Sequence, residues 1–159
     1  MTYNETILNF IQIIDSVLLN CNQQKLLENK DFVIVEDYLN LNNYLVIDLV
    51  KYDDLGLRFW FENTILRIDI LGIEEAYVFN TEDIKYNKEI EKIIKVIFTH
   101  TINIEACGKI YKRISFISPD GQNNVLTNTK HSVLSLLRIK WNCYNRQFSP
   151  IYEKCDKLG

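Results

Sequence analysis

The side chains that could carry catalysis are few and scattered in this sequence. The only histidines are His100 and His131, and the cysteines lie at positions 21, 107, 143 and 155. A histidine beside Cys107 or Cys143 would form a nucleophile–base couple, in which the imidazole takes the thiol proton. No local spacing supports such a couple, and the chain has no Gly-x-Ser-x-Gly elbow, His-Glu-x-x-His motif or phosphate loop. We therefore expect no catalytic residues and no enzymatic activity.

The cysteines and the acid pairs are also poor candidates for a metal site. The cysteines are separated by 86, 36 and 12 residues, whereas a structural zinc site usually takes two thiolates from one tight turn. We interpret them as free, partly buried thiols in a reducing compartment. The acid pairs Asp53-Asp54, Glu74-Glu75 and Glu82-Asp83 lack the alternating oxygen ligands and the glycine of a calcium loop. The sequence thus predicts no metal and no cofactor.

The aromatic run Phe59-Trp60-Phe61 is open to two interpretations. On a strand, alternation sends Phe59 and Phe61 to one face and Trp60 to the other. Either the sheet is buried on both faces, or Trp60 is exposed as an interface anchor, because Trp and Tyr are frequent in binding hot spots. The same question arises for Trp141 and Tyr144.

Size and composition predict one folded domain over residues 1–159. The chain is 47% hydrophobic and 25% charged, ordinary values for a globular protein, and has only 5 Gly and 2 Pro. Charges break its apolar runs well short of the roughly 20 residues that a membrane-spanning helix requires. The start, Met1 to Glu5, lacks the basic residues of a secretion signal. We therefore expect a cytoplasmic protein without a membrane segment.

Charge is unevenly distributed along the chain. The net charge is −1 over residues 1–30, −9 over residues 31–91 and +7 over residues 92–159. Either these charges interleave on a solvated surface, or an acidic face is presented to a basic partner and speeds association. Nucleic acid is not an expected partner, because residues 31–91 would repel phosphates and residues 92–159 lack the zinc-finger and RNA-recognition signatures.

Apolar residues recur every three or four positions over residues 5–20 and 82–98, which predicts a helix in each segment. Residues 23–28 either continue the first helix or form a short second one. Residues 132–146 stay undecided between helix and strand, and the tail beyond Pro150 is expected to be loosely held.

Strand patterns are rich in β-branched and aromatic residues and are separated by short turns, one of them at Asn63. They cover residues 44–51, 57–62, 64–70, 73–79, 101–107 and 109–118, and residues 123–130 are a strand or an exposed loop. The fold class predicted is α+β, an antiparallel sheet with the N-terminal helix and the helix near residues 82–98 packed on it.

This pattern resembles a known group of bacterial proteins. The acid- and aromatic-rich segment Leu57-Arg58-Phe59-Trp60-Phe61-Glu62, the later run from Lys109 to Ile117 and the turn Pro119-Asp120-Gly121 are typical of it. The chain is similar to the small immunity proteins encoded beside polymorphic toxins, including those of contact-dependent growth inhibition systems. The similarity is one of general character over most of the chain.

The resemblance implies a cytoplasmic inhibitor that binds a cognate toxin protein, many such toxins being basic nucleases. An acidic inhibitor would imitate the field of the nucleic acid and cover the active-site cleft. The binding residues would then lie within residues 31–91. As hypotheses, the partner-binding carboxylates are Asp53, Asp54, Glu62, Asp69, Glu74 and Glu75, and the aromatic anchors are Trp60 and Tyr77.

Two other functions remain open at this point. A small enzyme of unrecognised class would have a titratable group with a strongly shifted pKa in its largest pocket. A structural or adaptor domain that forms a homo-oligomer would have a large exposed apolar patch and a two-fold contact. The toxin's activity, the interface and the oligomeric state do not follow from the sequence.

Overall fold

The computed structural model describes residues 5–37, 44–71, 73–80, 85–107, 111–121, 124–131 and 143–153. Its strands form two antiparallel sheets. One sheet has five strands in the order β1-β2-β3-β4-β5, and the other has four in the order β8-β7-β6-β9. The elements are α1 (Glu5–Asn20), β1 (Phe32–Asp37), β2 (Tyr44–Leu49), β3 (Arg58–Glu62), β4 (Ile65–Ile70), β5 (Ile73–Asn80), α2 (Lys85–Thr99), β6 (Thr101–Cys107), β7 (Tyr111–Ile117), β8 (Asn124–His131) and β9 (Cys143–Phe148). The predicted α+β class is confirmed.

The chain divides into two compact units. The first comprises residues 1–95 with 154–159, and the second comprises residues 96–153. The division falls within α2, after Lys95. The single domain expected from the sequence over residues 1–159 stays a prediction. No helix in the described part of the chain is both long and apolar enough to cross a membrane.

Helix α1 covers one face of the five-stranded sheet in the first unit. Its apolar residues recur every three or four positions and therefore line one side of the helix. The Phe10 ring lies 6.1 Å from the ring of Phe59 and stacks on Phe61 at 5.7 Å between centroids. The buried residues of α1 are Ile7, Phe10, Ile11, Ile14, Val17 and Leu18.

The end of α1 is set by Asn22, which adopts a positive φ of 56°. Asparagine tolerates this left-handed conformation better than most residues, and it commonly ends helices. The Gln23 N–H then donates to the Leu18 carbonyl at 2.9 Å, and the Leu26 N–H donates to the Asp15 carboxylate at 2.7 Å. These bonds hold the chain in turns, so the predicted helix over residues 23–28 is wrong.

The five-stranded sheet is a meander in which each strand pairs with the next. Strands β2 to β5 confirm the four predicted strands, and β1 has no counterpart among them. The β3–β4 hairpin turns at Asn63, with φ of 54°, as its sequence predicts. The face toward α1 is apolar and buried through Leu45, Ile47, Phe59, Phe61, Leu66 and Ile68.

Helix α2 confirms the predicted second helix over its described part, whereas residues 82–84 lie outside the described residues. Ile90, Ile94 and Ile97 are buried, in agreement with their helical spacing. The helix ends at Thr99, whose hydroxyl lies 2.8 Å from Nδ1 of His100.

In the second unit, β6 is the central strand that pairs with both β7 and β9. Its residues alternate between buried and half-buried, and Ile102, Ile104 and Ala106 form the buried side. Residues 124–131 form strand β8, so the segment that the sequence left open between a strand and an exposed loop is a strand. Residues 143–146, which the sequence left undecided between helix and strand, lie in strand β9, whereas residues 132–142 lie outside the described residues.

The cysteines correct another expectation. Cys107 and Cys143 form a disulfide, with their Cα atoms 4.1 Å apart, and Cys21 is also disulfide-bonded. None of the three cysteines that the structure describes is free, so the prediction of free thiols is wrong for them. Cys107 and Cys143 are 36 residues apart in sequence, and only the pairing of β6 with β9 places them opposite each other.

The segment after Pro150 is held more firmly than expected. Ile151 and Tyr152 are buried, with 2% and 3% of their surface exposed. The Tyr152 N–H donates to the Phe98 carbonyl at 2.9 Å, and the two rings meet edge to face at 5.6 Å. The prediction of a loose tail is therefore wrong up to Tyr152, and residues 154–159 lie outside the described part.

Candidate interaction surface

The face of the five-stranded sheet opposite to α1 carries charged and aromatic side chains. Because residues alternate along a strand, burial of Phe59 and Phe61 against α1 places Arg58, Trp60 and Glu62 on the other face. The register then adds residues of β2 and β4 that lie directly opposite them. We call this surface the polar face, and its charged and aromatic residues on β2 to β4 are Tyr44, Asp48, Arg58, Trp60, Glu62, Arg67 and Asp69.

One row of the polar face has a basic residue between two acidic ones. Asp48 of β2, Arg58 of β3 and Asp69 of β4 are direct register partners across three strands. The Arg58 guanidinium donates two bonds to the Asp48 carboxylate, Nε to Oδ1 at 2.6 Å and Nη2 to Oδ2 at 2.8 Å. This bidentate geometry holds both side chains in place and orients the row.

A cavity of about 330 Å³ opens at this row. It combines the row with the 3₁₀ helix Asp53–Leu55 and the residues that follow it. Gly56 adopts a positive φ of 56°, which turns the chain at the wall of the cavity. The lining residues are Asp48, Leu49, Asp53, Gly56, Leu57, Arg58 and Asp69.

The lining has three carboxylates against one guanidinium, so the cavity carries a net negative charge. Such a site attracts a cationic group, for example a lysine or arginine side chain. In the described part of the chain, no group of three or more His, Cys, Asp or Glu residues has the geometry to hold a metal ion. Tyr77, whose pKa burial raises to about 12, does not line this cavity.

The aromatic part of the polar face lies beside this row. The rings of Tyr44 and Trp60 meet edge to face, with centroids 5.2 Å apart. Trp60 is half-buried, and its Nε1–H is buried with no hydrogen-bond acceptor among the described residues. Val46, the register partner of Trp60, is only 2% exposed. The indole is therefore only partly accessible on the polar face.

The structure brings together four of the eight hypothesised binding residues. Asp53 and Asp69 line the same cavity. Trp60 and Glu62 share the polar face with Asp69, because they alternate with buried residues of β3. Asp54 is exposed beside Asp53 in the 3₁₀ helix but is not part of the lining.

The other hypothesised residues lie on β5. Tyr77 pairs with Ile68 and therefore lies on the face toward α1, opposite to that of Trp60. It stacks on Phe79 with ring centroids 6.4 Å apart. Glu74 and Glu75 lie within β5, and their side chains are outside the described part of the structure. The sheet thus separates the two proposed aromatic anchors.

Asp48 and Arg58 are central to the cavity and were missing from the hypothesised set. Both lie in predicted strands, at positions that alternate with buried residues. Opposite charges at such positions are a usable signal, because cross-strand pairs of this kind stabilise a sheet. The signal becomes specific only when the register between β2 and β3 is known.

The chain matches no protein-family model, no curated protein and no solved structure.

Proposed function

We propose that this chain is an immunity protein that binds a basic bacterial toxin through the polar face and covers the toxin's active site. The observation that carries the proposal is the negatively charged cavity formed by Asp48, Asp53 and Asp69 around Arg58. Its volume and charge suit one basic side chain of a partner. The Tyr44–Trp60 pair beside it supplies aromatic surface of the kind that is frequent in binding hot spots.

The charge of the whole acidic region supports the same partner. Residues 31–91 carry 5 basic and 14 acidic side chains, and they include every residue of the polar face. A field of this sign accelerates encounter with a basic protein and repels nucleic acid. A nuclease, whose active-site cleft is basic because it binds phosphates, is therefore the toxin class that the proposal favours.

The proposal places this activity in the cytoplasm, where an internalised toxin would act. The disulfide between Cys107 and Cys143 is the observation that weighs against this location, since cytosolic thiols are generally kept reduced. Alkylation of free thiols in intact cells before lysis, followed by mass spectrometry, would distinguish the cytoplasm from an oxidising compartment. Alkylated Cys107 and Cys143 would support the cytoplasm, and an intact disulfide would support an oxidising compartment.

The first experiment is co-expression with the product of the neighbouring upstream gene, with an affinity tag on this chain. We expect a stoichiometric complex at moderate salt and rescue of growth from the toxin. Absence of both complex and rescue would overturn the immunity proposal.

The second step tests the surface within that complex. Asp53→Asn and Asp69→Asn should each weaken the affinity about tenfold or more, because close interfacial charge pairs contribute about 1.5 kcal/mol or more. Glu89→Gln is the matched control, since it also removes one exposed carboxylate from residues 31–91 but does not line the cavity. A stable complex in which all three variants bind like the wild type would keep the immunity function and reject the polar face.

A further inference from the structure

Strand β9 is attached to its sheet with little help from its side chains. It is an edge strand of the four-stranded sheet and pairs only with β6 among the described strands. The five residues from Cys143 to Gln147 are exposed, and only Phe148 is buried, with 8% of its surface exposed. Side-chain burial therefore holds β9 only at its Phe148 end.

The Cys107–Cys143 disulfide holds the opposite end. Register pairs run from Ile102 with Phe148 to Cys107 with Cys143, so the apolar anchor and the covalent bond lie at the two ends of the same ladder. Between them Tyr144 is 48% exposed. The Arg146 guanidinium, which lies 5.1 Å from the Phe148 ring centroid, belongs to an exposed residue.

The two cysteine residues differ in their exposure to solvent. Cys143 is exposed, whereas Cys107 is half-buried in the central strand. Thiol–disulfide exchange requires a thiolate to reach one sulfur in line with the bond that breaks, and its rate follows that access. A reductant from solvent would therefore attack Cys143 first.

We propose that the Cys107–Cys143 disulfide is a redox latch that fixes the Cys143 end of β9 to β6. A dithiol reductant attacks Sγ of Cys143, and the disulfide breaks as Cys107 leaves as a thiolate and takes a proton. The second thiol of the reductant then attacks the mixed disulfide, which releases Cys143 as a thiol and leaves the reductant as a cyclic disulfide. Two electrons and two protons pass to the protein in total.

Opening the latch removes the covalent bond at the Cys143 end of β9, which lies at the edge of a sheet where water competes for the backbone bonds. That end separates from β6 while Phe148 keeps the other end in place. The outer backbone groups of β6 then become accessible near Cys107. The latch does not depend on the polar face or on the proposed toxin, and it can be tested with the isolated protein.

Hydrogen–deuterium exchange measured by mass spectrometry, with and without dithiothreitol, tests the latch. We expect peptides that cover residues 143–147 to exchange about tenfold faster or more after reduction, as expected for local opening, while β6 and β7 stay protected. Cys21→Ser controls for the other disulfide bond, and dithiothreitol should accelerate exchange in β9 of this variant as in the wild type.

The double variant Cys107→Ser/Cys143→Ser should show fast exchange in β9 without reductant and no further change when it is added. If that variant does not fold, hydrogen–deuterium exchange in β9 of Cys21→Ser, with and without dithiothreitol, still tests the latch. Unchanged exchange in β9 after complete reduction would overturn the latch. Loss of protection throughout β6 and β7 would also overturn it, because the disulfide would then hold the whole unit rather than one strand end.

Discussion

Tyr77 and Trp60 show how strongly the environment of one residue depends on its position in a strand. Both are aromatic residues of the acidic region that were hypothesised as binding anchors. Tyr77 lies on the face toward α1, where burial raises the pKa of its phenol from 10.0 to about 12. Trp60 lies on the polar face beside Tyr44. Only Trp60 is therefore placed to contact a partner together with Asp69.

The raised pKa of Tyr77 predicts a loss of stability at alkaline pH. Below pH 10 the phenol keeps its proton in both states, so the stabilisation is fully present. Between about pH 10 and pH 12 the unfolded chain releases the proton and the folded chain retains it, so the free energy of unfolding falls as pH rises. In Tyr77→Phe this fall should be smaller.

Urea unfolding at about pH 9 and about pH 11 measures the effect. Tyr144→Phe, at a tyrosine that is 48% exposed, controls for the removal of one phenol. If both variants lose as much stability as the wild type over this interval, burial of Tyr77 does not govern its proton affinity in the folded protein.

At the scale of elements, the β3–β4 hairpin separates the core from the candidate surface. Its buried positions lie on the face toward α1, where Phe59 and Phe61 contact Phe10, and its alternate positions form most of the polar face. One turn at Asn63 sets the register that aligns Arg58 with Asp69. A hairpin of this kind couples function to stability, because a register slip of one residue would exchange the two faces.

This division predicts unequal costs for truncation on the two faces. Phe59→Ala should lower the free energy of unfolding by about 3–5 kcal/mol, since Phe59 is fully buried against Phe10 and its removal leaves a cavity. Ile65→Ala in the same hairpin should cost about 1 kcal/mol or less, because Ile65 is 37% exposed. Urea denaturation measures both, and equal losses would contradict the assignment of the faces.

At the scale of the whole molecule, charge follows the division into units. The first unit, residues 1–95 with 154–159, has 11 basic and 18 acidic side chains, a net charge of −7. The second unit, residues 96–153, has 7 basic and 3 acidic side chains, a net charge of +4. The excess of acidic side chains is thus a property of one unit, and the small net charge of the chain conceals it.

Electrostatic steering predicts that toxin association depends on salt. We expect the association rate constant to fall about tenfold or more between about 0.05 M and 0.5 M sodium chloride, because ions screen the field of the first unit. Asp53→Asn should reduce this dependence, whereas the dissociation rate should change little with salt. Stopped-flow mixing measures the rates, and an association rate constant that does not change with salt would contradict a role for the acidic field.

The regular elements followed from the sequence because their signals are local. The spacing of apolar residues in α1, the alternation in β3 and β4 and the asparagine at the hairpin turn each depend on residues a few positions apart. The same alternation separated Trp60 from Phe59 and Phe61 before any register was known. Strand β1 went unpredicted, and most of β9 was left undecided between helix and strand. In β9 the reason is visible, since an edge strand with five exposed residues shows little hydrophobic pattern.

Only the tertiary structure decided which of these residues meet. Asp48, Asp53, Arg58 and Asp69 form one cavity because three strands align in a particular register and the 3₁₀ helix turns beside them. Cys107 meets Cys143 across 36 residues for the same reason. Local propensity sets whether a segment is a strand, whereas strand register depends on long-range packing of whole faces. The sequence therefore determined the elements and their faces, and the register of the two sheets determined the site and the disulfide.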